Sequence, residues 1–154
     1  MRLTVHTSHG GLRGQALRES SHFANAALWA ATEPRCGLET FNITNGDYFR
    51  GRNVWPAIAD VFAMPVGEPQ TISLAGHMAG MGGLWRSMVE KYRLEPFDYA
   101  ELAAWPFADY VFGCDWDVMS DVTKSRRFGF HDVVDTEAML CRLLRRFRDE
   151  RIVP

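Results

Sequence analysis

No stretch of the sequence stays apolar for the roughly 18–20 residues that crossing a bilayer requires. The first residues, Met1-Arg2-Leu3-Thr4-Val5-His6, carry no apolar core of a secretion signal. Cysteine is scarce: Cys36, Cys114 and Cys141 are odd in number, far apart and without a C-x-x-C. That argues against a disulfide framework and fits reduced, buried thiols in a cytoplasmic protein. An excess of one charge is lacking too. Seventeen basic residues stand against nineteen acidic ones, a net charge of −2. Such a balance points to neither a nucleic acid nor a membrane surface as partner.

The motifs of catalysis are equally sparse. No G-x-G-x-x-G follows a strand, and Gly80-Met81-Gly82-Gly83 lacks that context. There is no Walker A sequence, no H-E-x-x-H and no G-x-S-x-G nucleophile elbow. His9-Gly10-Gly11 alone does not make an esterase oxyanion loop, and His6 with His9 lacks further metal ligands close by in sequence. Tyr48, Tyr92, Tyr99 and Tyr110 lead four residues on to Arg52, Pro96, Ala103 and Cys114, so none pairs with a lysine at that spacing. Asp115, Asp117 and Asp121 lie close together, but turn and capping roles account for them better than a carboxylate pair. The expectation is therefore no catalytic, cofactor-binding or metal-binding residue in this chain.

What the chain has is an ordinary globular composition over 154 residues, with 47% hydrophobic and 23% charged side chains, enough for one domain. Residues 1–17 read as a flexible arm. A helix is expected from Ser20 or Ser21 to about Ala31, with Phe23, Ala26, Ala27 and Ala30 as its inner stripe, stopped by Glu33-Pro34. Residues 39–44 alternate apolar and polar and predict a strand, followed by a turn at Asn45-Gly46-Asp47. Asn53 is placed as the cap of a helix with Pro56 in its first turn. A short strand at 70–74 is a further expectation. Ser73 caps a helix through Met78, Trp85 to Tyr92 repeat at helical spacing, and Asp98 opens a short helix. Ser120 is read as the cap of a turn or two through Arg127. Asp135 caps the last helix, whose inner stripe is Leu140, Leu143, Leu144 and Phe147. The arginines at 142, 145, 146 and 148 read as a solvated face.

The most concentrated feature is Trp105-Pro106-Phe107-Ala108-Asp109-Tyr110-Val111-Phe112-Gly113. Four aromatic rings fall within eight residues. Pro106 suits a first helical turn, and Gly113 suits a left-handed end. Phe107, Tyr110 and Val111 then share one face while Asp109 points elsewhere. That face is either core or the wall of an apolar pocket.

In order along the chain, several landmarks resemble the progesterone 5-beta-reductase/iridoid synthase-like branch of the extended short-chain dehydrogenases/reductases, of the NAD-dependent epimerase/dehydratase type. They are Phe41-Asn42-Ile43-Thr44-Asn45-Gly46-Asp47 with Phe49-Arg50, Trp55, Trp85 with Val89 and Leu94, the Trp105–Gly113 stretch, and Ser120, Lys124, Ser125, Gly129 and Phe130. Arg151-Ile152-Val153-Pro154 matches the family's ending, and Gly51 departs from it. The resemblance covers about residues 20–154 and places a C-terminal substrate-binding portion at 18–154. It implies an α/β fragment: the mostly helical substrate-domain part of an extended Rossmann-type reductase, with one or two short strands retained from the sheet.

The family reduces C=C bonds of enones or enals with NADPH held on an N-terminal Rossmann half. By resemblance, Phe107, Tyr110 and Val111 are substrate-binding. The glycine-rich motif and catalytic Tyr and Lys of the family are not in this sequence. The chain is thus expected to supply a pocket wall, to be inactive alone, and to self-associate through faces left open. The alternatives are a small module binding an apolar ligand or partner, and one subunit of a split reductase.

Overall fold

A computed structural model describes residues 14–15 and 20–154. The expectations for residues 1–13 and 16–19, including most of the arm and both early histidines, lie outside the described residues.

The elements are α1 (Ser20–Thr32), a 3-10 turn (Pro34–Cys36), α2 (Gly51–Val61), α3 (Leu74–Met78), α4 (Gly82–Tyr92), α5 (Tyr99–Leu102), α6 (Trp105–Gly113), α7 (Thr123–Arg127) and α8 (Thr136–Asp149). Two strands of two residues each, β1 (Gly14–Gln15) and β2 (Phe49–Arg50), pair antiparallel with Gly14 opposite Arg50. The fold is mostly helical, as expected of such a fragment. The expected strand at 39–44 is not formed. These residues have no regular secondary structure, and no other described strand lies beside them. Side chains hold them instead. Lys124 Nζ donates to the Thr40 carbonyl (3.0 Å) and Asn42 Nδ2 to the Asp121 carbonyl (3.2 Å). Of the second expected strand, at 70–74, only Gln70 is a bridge residue; 71–73 have no regular structure and Leu74 opens α3.

One part of the core is aromatic. Trp29 of α1 meets Phe41 (4.9 Å between centroids) and Phe130 (5.1 Å), and Phe41 meets Phe128 (5.2 Å). His22 packs on Phe130 from the first turn of α1. The inner stripe of α1 is therefore His22, Ala26 and Trp29, about a quarter-turn from the expected one, and Phe23 and Ala27 are exposed. Another part lies between α2 and α8, where Val54, Ala59, Val61, Met139 and Cys141 are buried. Arg148 ties the two helices further by donating to the Val61 carbonyl and lying over the Phe62 ring. It therefore does more than solvate α8. On α8 the expected stripe is only half-buried, and Phe147 is exposed.

Between these regions stands a polar hub. Asn45 and Thr136 are the largest fully buried side chains among the described residues. Asn45 Nδ2 donates to Thr136 Oγ1 (3.0 Å), which in turn donates to Asp47 Oδ1 (2.7 Å). Asp47 Oδ2 accepts from the Thr136 N–H (2.8 Å), so a residue of the early turn closes the N-terminus of the last helix. Gly46 holds the turn at φ 86°, where a Cβ would press on Val133 Cγ2 at 3.2 Å. Asp135 caps α8 through the Ala138 N–H (2.9 Å), as expected.

Three further sequence expectations are corrected. Helix α2 begins at Gly51 after Arg50, so Pro56 lies inside it and Asn53 is not its cap. Gly113 is not left-handed; α6 ends on an extended Cys114. Asp121, not Ser120, accepts from the first N–H of α7 (2.7 Å). All three cysteines are free and buried.

Candidate functional site

Helix α6 begins where the sequence places it, with Pro106 in the first turn, where a missing N–H costs nothing. Its orientation is fixed by Asp109. The carboxylate accepts from Ser73 Oγ (2.8 Å) and the Ala75 N–H (3.0 Å), and also from the Leu74 N–H. Ser73 Oγ accepts from the Gly76 N–H (3.1 Å). Three N–H groups at the start of α3 are thus satisfied, two of them by a charge at the positive end of the helix. At the other end of α3, Tyr99 donates its hydroxyl to the Met78 carbonyl (2.7 Å), and its ring lies 6.4 Å from that of Trp105. Trp105, Asp109 and Phe112 therefore form the anchored side of α6.

At 100° per residue, Phe107, Tyr110 and Val111 form the opposite side. Phe107 and Tyr110 are each 66% exposed, and Val111 is half-buried. The two rings are stacked, 6.4 Å apart with an interplanar angle of 30°. The structure thus brings the three expected residues onto one face, and Phe107 and Tyr110 are not core. None of the clefts described touches that face. Beyond α6, Trp116, Val118 and Met119 are also exposed. This segment runs along the early turn region, with the Tyr48 hydroxyl donating to the Ser120 carbonyl (2.9 Å) and Arg50 3.9 Å from Asp117. The sequence reading did not pick out these three, although their apolar character is visible there.

The other landmarks carry structure. Lys124 Nζ pairs with Glu39 (2.7 Å) and sits over the Phe41 ring, while Ser125 Oγ donates to the Val122 carbonyl (2.9 Å). Phe130 is core. The acids near residue 120 have similar roles. The Asp121 carboxyl is held below its usual range by its hydrogen bonds with Thr123, and Asp117 faces Arg50. Glu33 is lowered to about 2 by hydrogen bonds from Arg35, and burial raises the Cys36 thiol. All of these groups lie outside α6.

Among the described residues, no group of three or more His, Cys, Asp or Glu is placed to hold a metal ion. The glycines at 80, 82 and 83 join α3 to α4, helix to helix. A dinucleotide phosphate is cradled at a strand-to-helix turn, so this run does not fit one. No helix among the described residues is long and apolar enough to cross a membrane.

No known family model matches the chain. Individual proteins do. The chain is 30% identical over 135 residues to an (S)-8-oxocitronellyl enol synthase of Catharanthus roseus, covering 85% of this chain and 34% of that protein. It is 26% identical over 134 residues to a 3-oxo-Delta(4,5)-steroid 5-beta-reductase of Arabidopsis thaliana, again 85% and 34%. A short chain dehydrogenase of Penicillium aethiopicum is 28% identical over 146 residues, 85% of this chain and 39% of that protein. The chain spans about a third of the length of the curated relatives it matches.

Proposed function

From the homology of this chain to iridoid synthase and progesterone 5-beta-reductase-like short-chain dehydrogenases/reductases, we propose that it supplies the apolar substrate-facing wall of an enone or enal reductase. The hydride donor, NADPH in the family, and the acid/base pair belong to a nucleotide-binding portion outside this sequence. The chain alone is inactive. One observation carries this reading: the stacked Phe107–Tyr110 pair, two-thirds exposed on a helix whose opposite side is anchored. A paired aromatic face of this kind marks a binding surface more often than an idle one.

Two measurements test it. Titration of the purified chain with NADPH is expected to give no saturable binding, and the chain is expected to oxidise no NADPH with an enone. A micromolar dissociation constant or measurable turnover overturns the inactivity. A photoreactive enone steroid is expected to label the Trp105–Gly113 peptide, less so in Phe107→Ala. Labelling confined to other peptides overturns the assignment of the wall.

A further inference from the structure

A cleft of about 420 Å³ lies between α4 and the segment leading into α5, apart from the α6 face. Its lining includes Trp85, Phe97 and Tyr99, with Arg86, Glu90 and Asp98. The polar ends of two of the aromatics are already engaged by backbone carbonyls. The Trp85 indole N–H donates to the Phe97 carbonyl (2.9 Å), and the Tyr99 hydroxyl donates to the Met78 carbonyl (2.7 Å). These side chains line the cleft with aromatic carbon, Trp85 from a largely buried position, and the face of an aromatic ring carries negative charge. Phe97, 45% exposed, forms a lip.

The charges add to that sign. Glu90 makes no ion pair with a described residue. Asp98 uses one oxygen to cap α5 through the Ala100 N–H (3.0 Å). Arg86 is the cation among the lining residues, so two carboxylates outnumber it. An anionic ligand would meet both carboxylates. A divalent metal ion would want six or more oxygens and finds aromatic carbon instead. A cation that needs no hydrogen bonds fits both the rings and the carboxylates.

The geometry points to a site for a small quaternary ammonium compound, held by cation–π contact with Trp85, Phe97 and Tyr99 and by the charges of Glu90 and Asp98. The indole N–H of Trp85 is a local reporter, because its acceptor is part of the cleft wall. Its resonance in a ¹H–¹⁵N spectrum of the full chain is identified by its loss in Trp85→Phe. Choline chloride, with sodium chloride at matched ionic strength as control, is expected to shift that resonance saturably.

The uncharged isostere 3,3-dimethylbutan-1-ol is expected to act about tenfold more weakly. Glu90→Gln, which keeps the shape of the side chain, should weaken choline by roughly threefold to tenfold, and Arg86→Gln should tighten it. No saturable shift overturns the site. An equal response to the neutral alcohol, or choline affinity unchanged in both charge variants, overturns its preference for a cation.

Discussion

Thr136 shows what one hydroxyl does at a buried junction. It accepts from Asn45 and donates to Asp47 while its backbone N–H donates to the same carboxylate. Thr136→Val preserves the volume and strips both side-chain contacts. Asn45 and Asp47 each lose one hydrogen bond, and the expected loss is roughly 1–3 kcal/mol, read from urea unfolding. Thr136→Ser keeps the hydroxyl and should restore most of it; equal losses in the two variants would place the effect in packing. Glu33 makes a pH-dependent contribution. Its carboxyl titrates near about 2 in the folded chain because Arg35 Nε and Nη2 donate to it at 2.7 and 3.0 Å. An unperturbed glutamate titrates near about 4.3. The stability Glu33 adds is therefore fully present above that pH and is lost as the pH falls towards about 2. The difference in melting temperature between the wild-type chain and Glu33→Gln should shrink across that acid window and stay constant between about pH 6 and 8.

Helix α6 separates two roles on one element. Truncating a core phenylalanine costs about 3–5 kcal/mol. Phe107 is 66% exposed, so Phe107→Ala should cost less than about 1 kcal/mol. Asp109→Ala strips acceptors from the first turn of α3 and should cost roughly 1–2 kcal/mol, although the residue carries none of the apolar face. Equilibrium unfolding of both variants checks the pair, and the reverse order would place Phe107 in the core. Helix α6 was legible because Pro106 and Gly113 bound it and the Phe107–Tyr110–Val111 spacing shows which residues share a face. That the face is exposed was not, because exposure depends on what packs on the other side, here an aspartate reaching across 36 residues to Ser73. The start of α8 was legible for a similar reason, since Asp135 caps it locally. The hub that closes the same helix was not, because Asn45 and Thr136 lie 91 residues apart. Helix α1 misled in its direction. It is apolar almost all round, so periodicity distinguishes its sides poorly, and the buried stripe includes His22, which a polar label places outside. The strand expected at 39–44 has the alternation but no neighbouring strand among the described residues, and pairing is what makes a strand.

Across the described residues, eleven apolar residues are buried and fifteen large apolar ones are exposed. Three of the eleven are cysteines and two are alanines, so few large side chains are fully buried, and half-buried rings such as Trp29, Phe41 and Phe128 carry part of the core. The exposed set includes Phe107 and Tyr110 on α6 and Leu28 on α1. Helix α1 contains no Asp, Glu, Lys or Arg, and Ala24, Ala27, Leu28 and Ala31 lie on its exposed side. A face without charge meets a copy of itself without like-charge repulsion, which is what a two-fold contact requires. Sharing such faces between copies adds stability by mass action. The melting temperature of the full chain should then rise with protein concentration, by roughly 1–3 °C for each tenfold increase. Leu28→Glu places a charge at the centre of that face, where the side chain is already 66% exposed. It should leave the melting temperature of the dilute chain unchanged and remove the concentration dependence. A melting temperature independent of concentration in the wild-type chain, with a monomer mass by sedimentation, would mean that copies do not share this face and that the chain stands on its small core alone.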